Sequence, residues 1–391
     1  MVGRWVRELI MFKNPINLAF DKLTQGLNEP KWLQQKRQQA LQNFQDLGLP
    51  TRKSELWKYT DIKRLDRLEK VTDIADSDEH FVFTIKCDLP ENTSMKSITQ
   101  VDEIDWKDIK TDKERVFVEL NMAMLNSGFE LSIPANSQLK LHIQYQQVSD
   151  NWENIRTVIN VGEKAQLDLT ESYDYDCRIN HVAIINAENN SQLKLQSHKL
   201  LAKTAALIHY SKINCGKNVS IEQCTTNNNA YLSHAIQDVD FNAEHSIFKV
   251  ASINVTHASC HIAENIQTNH FVGNCKSEVI KRSLATDKGQ VALNAKAVVS
   301  DGADGSDIAQ SLKNILLSED AKIYSRPELE INTDDVIAAH GSTFGELDDL
   351  SLTYLRSRGI PKEQAKYMLI ESFLQDANIF KHENFLDKIE L

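Results

Sequence analysis

Histidine and cysteine are the side chains here best suited to holding a metal, and their placement sets what chemistry the chain can attempt. His340 stands immediately before Gly341 in the stretch SRPELEINTDDVIAAHGSTFGELDDLSLTYLRSRGI, residues 325–360. A histidine beside glycine on a loop between rigid elements is open to a ligand or a partner; the competing reading is an imidazole that bonds to backbone while the chain turns. HASCH gathers His257, Cys260 and His261 within five residues. In a strand His257 and His261 face one way and Cys260 the other, so without a bulge they read as polar groups on a sheet face rather than as a metal site. The acidic run DGADGSD, residues 301–307, has glycines at its second and fifth places and no Glu at the twelfth, which is turn chemistry rather than a calcium loop. Six cysteines (Cys87, Cys177, Cys215, Cys224, Cys260, Cys275) are scattered without a CxxC pair, so neither a zinc ribbon nor a redox dithiol can be written.

Catalytic motifs are missing. There is no GxxxxGK[ST] phosphate loop, and GNCKS, residues 273–277, lacks its first glycine and spacing; GxGxxG, GxSxG and HExxH are absent as well. A chain without its own ATP chemistry is expected. Lys plus Arg number 44 against 55 Asp plus Glu, a formal charge of -11, so no broad positive field exists for nucleic acid. No apolar run reaches the roughly 20 residues of a membrane-spanning helix, and MVGRWVRELIMF lacks the cleavage site of a secretory signal. Scattered thiols then point to a reducing, cytoplasmic setting.

The elements that must position these residues fall into four stretches. Residues 1–72 read as an N-terminal helical region: Trp32, Leu33, Ala40, Leu41 and Phe44 recur at helical spacing, with Pro30 at the start and Gly48 and Pro50 at the stop. Residues 73–115 read as an irregular connecting segment with a few strands. From residue 116 to 339 the period changes to two, in FELSI, LKLHI, TVINV, AQLDL, HVAII, LKLQS and VALNA.

These strands repeat. NSQLKL occurs twice, at residues 136–141 and 190–195, and the pairs Leu139/Leu141, Leu167/Leu169, Leu193/Leu195, Val219/Ile221 and Phe248/Val250 recur at intervals in the twenties, each after a polar turn. Short strands with polar corners and no helix in the repeat predict a β-helix solenoid, whose stacked coils align like residues into one core. Only 13 Gly and 7 Pro stand against many amides, which stacked corners can bond along the pile. Both ends of such a stack need covering, a task suited to the terminal helices. Residues 340–391 read as a C-terminal helical domain. One helix carries Leu350, Tyr354, Arg356 and Arg358 and stops at Gly359; a second starts at Pro361, with Ala365, Met368, Leu369, Ser372 and Phe373 on one face and Leu374 at its edge.

PELEI and DDV, HGSTFGELDD and YLRSRGI, with PTRKSELWKYT and ELNMAMLNSGFELSIP nearer the N-terminus, resemble the SufB/SufD family of the SUF iron–sulfur cluster assembly system. His340-Gly341, where SufB chains have His-Glu, favours the SufD side over a SufB-type paralogue. The resemblance implies a right-handed parallel β-helix between helical ends, a noncatalytic scaffold that pairs with SufB and docks the SufC ATPase through its C-terminal helices. Leu350, Tyr354, Arg356, Arg358, Tyr367 and Phe373 are then the expected partner-binding residues, and a homodimer is expected of the isolated chain. It also implies that His340 helps hold a transient iron–sulfur cluster at the SufB interface, with no cofactor bound to this chain alone. One imidazole must then work with ligands from the partner, since clusters are normally held by several thiolates. The chain departs from the DDVxCSHG form of many members, with Ala338 in place of the Cys. Two other readings of a β-helix stand beside this one: a carbohydrate-active enzyme with an extended groove, and a plain interaction protein.

Overall fold

The computed structural model describes residues 17, 20–25, 29–65, 83–86, 89–98, 109, 111–146 and 152–380. Cys87 and the outer parts of both termini lie outside them.

Helix α1 (Lys31–Leu47) begins directly after Pro30 and ends at Gly48, whose φ of +64° suits a residue without Cβ and whose N–H bonds Phe44 O at 3.0 Å. It buries Leu33, Ala40 and Phe44, and with them Arg37, held by Glu29 and the Ala123 carbonyl. Helix α2 (Val116–Ala123) corrects the expectation that strands start at residue 116. Every residue of α2 is buried, and an element buried all round shows no helical period to read.

From residue 127 the chain winds into a solenoid of sixteen strands that alternate between two sheets, eight in each. Its strands pair in parallel from coil to coil. In the first sheet Leu139, Leu167, Leu193, Ile221, Phe248, Ser277, Ile308 and Ala338 stand in register. In the second, Leu131, Ile159, Ile185, Ile213, Val239, Thr268, Ala297 and Leu329 do so. Inward residues of both sheets merge into one core, because no coil can bury its inner face alone. The coil step is therefore a stacking period: Ile221, not Val219, follows Leu193, and Gln223 follows Leu195.

Polar corners explain the amide richness. Asn136, Asn190, Asn218 and Asn274 take left-handed φ values of 58–62° at equivalent corners, where Asn is tolerated. Amides also bond up the stack, Asn214 to Asn186 and Asn186 to Asn160 at 2.8 Å each. HASCH belongs to such a corner. The strand Ile247–Thr256 stops before it, the Cys260 N–H returns to His257 O at 3.1 Å, and the next strand starts at His261. DGADGSD turns at Gly302 and Gly305, both at positive φ. Among the described residues no group of three His, Cys, Asp or Glu side chains is placed to hold a metal.

The two ends of the solenoid differ. At its start the short strands Phe83–Lys86 and Ser94–Ser97 run antiparallel to the first coil and cover both sheet edges. At its finish Lys322–Ile331 and Val336–Gly345 are the last strands of their sheets. The C-terminal helices do not cap that end as expected; they fold back along the flank. Helix α4 (Lys362–Gln375) sets Ile370 and Leu374 against Ala251, Ile253, Val255 and Leu284 on the outer face of the first sheet. Ser372 and Met368, expected on the packed face, are exposed. Helix α3 (Asp349–Ser357), capped by the Asp348 carboxylate on the Leu350 and Ser351 amides, buries no residue.

Candidate functional site

His340 lies inside the strand Val336–Gly345, not on the loop read from the sequence, and the expected boundary at residues 339 and 340 falls within that strand. Position 340 is in register with Gln310, which follows Val279 and Val250, so side-chain alternation turns it toward the lumen with Ala338, Ser342 and Phe344. Ser342 Oγ reaches Ser325 Oγ of the opposite sheet at 2.9 Å, which closes the mouth on one side. No further coil follows among the described residues. His340 is exposed, and Ile337 and Phe344 on the same strand are 72% and 54% exposed.

The C-terminal helices add a second exposed surface. Leu350 is 81% and Tyr354 58% exposed; Arg356 and Arg358 are exposed too, with the Arg358 guanidinium 5.3 Å from the Tyr354 ring centroid. Tyr367 is exposed, whereas Phe373 is half-buried against the sheet. Of the six residues expected to bind a partner, five are exposed and Phe373 is partly committed to holding α4 in place.

In the middle coils of the stack lies a polar interior that sequence reading missed. Glu171, Lys199, His209, Gln223, Gln237 and Glu264 line an internal cavity of about 50 Å³, where a water needs roughly 10–15 Å³. Lys199 Nζ is 3.2 Å from His209 Nδ1; Glu171 accepts from the Tyr145 hydroxyl at 2.7 Å; Glu264 pairs with Lys281 at 2.6 Å. Burial pushes the Lys199 ammonium down to about 8 and raises Glu171. It also lowers His181 to about 3 and keeps His209 well below the usual imidazole value. Burial opposes the charge of Glu264 too, but Lys281 beside it holds that carboxyl below its ordinary value. In sequence these groups occupy apolar places of the alternating pattern, and that interruption was the available signal.

At the mouth the donor set of this chain is one imidazole and two hydroxyls, His340, Ser342 and Ser325. Among the described residues no cysteine stands on the terminal strands. The five described cysteines are buried, and burial raises Cys177 to about 12 and Cys224 to about 11, so both are protonated thiols. Among the described residues no helix is long and apolar enough to cross a membrane.

Residues 124–373 match the family described as "SUF system FeS cluster assembly, SufBD core domain", and residues 20–106 match "SufBD protein N-terminal region". The chain is similar to iron–sulfur cluster assembly protein SufD of Escherichia coli (strain K12), 24% identical over 369 residues that cover 86% of each chain. It is also similar to SufD of Bacillus subtilis (strain 168), 24% identical over 394 residues, 88% of this chain and 89% of that one. A SufBD family protein of Synechocystis sp. is 26% identical over 394 residues, 88% of this chain and 86% of its own. A solenoid core over the matched region, with helices at both ends, is thus the core of a family member: the chain belongs to the SufBD family of iron–sulfur cluster assembly proteins.

Proposed function

We propose that the chain is a noncatalytic scaffold subunit of a SufBCD complex. It pairs with SufB through the terminal coil, docks the SufC ATPase through α3 and α4, and offers His340 to a nascent iron–sulfur cluster as cargo. The terminal coil carries this reading. Its two strands end their sheets with a free edge among the described residues and exposed Ile337 and Phe344 beside them, and such an edge invites strands from another chain. The same edge in a homodimer would serve the isolated chain. His340 is one imidazole ligand with no cysteine on the terminal strands beside it among the described residues, so the sulfur ligands come from the partner. No residue of helix α3 is buried, which leaves its exposed Leu350 and Tyr354 for SufC. ATP hydrolysis in SufC would then move these helices and alter the paired ends.

Reconstitution tests this. SufB and SufC are expected to co-purify with the chain, and His340→Ala is expected to lower cluster yield at least tenfold with the complex intact. Normal yield from that variant would remove His340 from the mechanism, and failure to co-purify would remove the pairing.

A further inference from the structure

The segment that joins the N-terminal helix to the solenoid reaches the terminal coil, far from it in sequence. Residues 55–64 lie on the outer face of the second sheet. Trp57 is fully buried there, stacked on His234 at 3.6 Å and 12°, and its indole N–H donates to Glu114 O at 2.8 Å. The Glu114 carboxylate in turn accepts from the Glu55 and Leu56 amides. Thr60 Oγ1 lies between two buried imidazoles, 3.2 Å from His234 Nδ1 and 3.1 Å from His261 Nε2. Arg64 donates to the carbonyls of Tyr231 and Ser259 at successive corners. The far side of the segment meets the last strand of the sheet: Tyr59 stacks on Tyr324 at 4.0 Å and 9°, and Glu55 pairs with Arg326. The segment thus spans the four strands Leu232–Phe241, His261–His270, Gln290–Val299 and Lys322–Ile331, roughly 14 Å at about 4.8 Å per strand.

We infer that residues 55–64 are a strap that holds the terminal coil in the form that pairs with a partner, with Glu55 and Tyr59 as its positioning residues. The pairing part rests on the reading proposed above. The physical reason is the asymmetry of a last strand. Lys322–Ile331 has one neighbouring strand instead of two, so its ladder frays more easily than any interior strand. Its contacts with the strap fall near its start, at Tyr324 and Arg326, where they fix register and twist while the outer edge stays uncovered among the described residues. The other end of the strap is fastened to buried groups of the body, so the terminal strand is tied to the most stable part of the stack.

Hydrogen exchange on the full-length chain tests the strap without any partner. In a Glu55→Ala, Tyr59→Ala double variant, amides of residues 322–331 are expected to exchange at least about tenfold faster, with those of Ala206–Cys215 unchanged. Tyr59→Phe, which keeps the stacked ring, is expected to retain slow exchange. Unchanged exchange at residues 322–331, or equal acceleration in every strand, would overturn the strap. The same double variant is expected to associate with a SufB subunit about tenfold more weakly. Faster exchange with undiminished association would uphold the strap and overturn its part in pairing, whereas no association even of the unsubstituted chain would overturn the pairing reading itself.

Discussion

The strands Ile247–Thr256 and Val336–Gly345 belong to the same sheet, have the same length and take the same register position in their coils. Their surroundings are opposite. The first has a neighbour on each side, the lumen beneath it and α4 across its outer face, so Phe248, Val250, Ile253 and Val255 are all buried. The second has one neighbour and nothing stacked beyond it among the described residues, so a lumen-facing Phe344 is left 54% exposed. The contrast shows how a solenoid separates stability from recognition: each coil is buried by the next, and the coil without a next one carries an unfinished surface.

Truncation inside the stack is the strongest way to sharpen this contrast. Phe248→Ala removes a fully buried ring from a core that cannot collapse around it, and about 3–5 kcal/mol of stability is expected to go, read from the denaturant midpoint of the isolated chain. A loss under about 1 kcal/mol would mean that the middle coils are no better packed than the last.

Acid comes next. His181 is fully buried and held neutral, its folded value lowered to about 3 against an unfolded value near 6.5. The unfolded chain therefore binds the extra proton as pH falls below about 6.5. Stability present above that pH is lost on the way down, by about 1.4 kcal/mol per pH unit for this one group until its folded value is reached. His181→Gln is expected to flatten the stability profile between pH 6.5 and 4.5, measured by urea unfolding; an unchanged slope would show that the lumen is wetter than its packing implies.

The smallest effect on stability is expected at the terminal coil. Phe344→Ser should change the stability of the isolated chain by no more than about 0.5 kcal/mol, while association with a SufB subunit weakens at least about tenfold, as loss of an interface aromatic does. A large stability loss would place Phe344 in the core after all and end the contrast.

Several of these features were legible as residues in a row. Alternating Leu pairs at intervals in the twenties required stacked strands, and the polar corners between them accounted for the amides. The stop of the first C-terminal helix at Gly359 was equally local. Helix α2 was not legible, because full burial erases the period that marks a helix. His340 was singled out by its neighbours but assigned to a loop, because HGSTFG next to a helix reads as a connection and the pairing of residues 336–345 with residues 306–315 is non-local. The face of α4 was misread for a related reason: Met368 is apolar, yet only the sheet it lies on decides that Ile370 and Leu374 go inward.

By itself the sequence determined what depends on period and local backbone chemistry, namely a strand repeat, its corners, the helical ends and the family these motifs resemble. Tertiary structure alone decided which edge stays uncovered, that Lys199, His209 and Glu264 meet in one lumen, and that residues 55–64 reach Tyr324 and Arg326. The physical reason is that stacking adds coils one upon another: each residue's inward or outward direction is set within its own strand, but its neighbours belong to coils tens or hundreds of residues away.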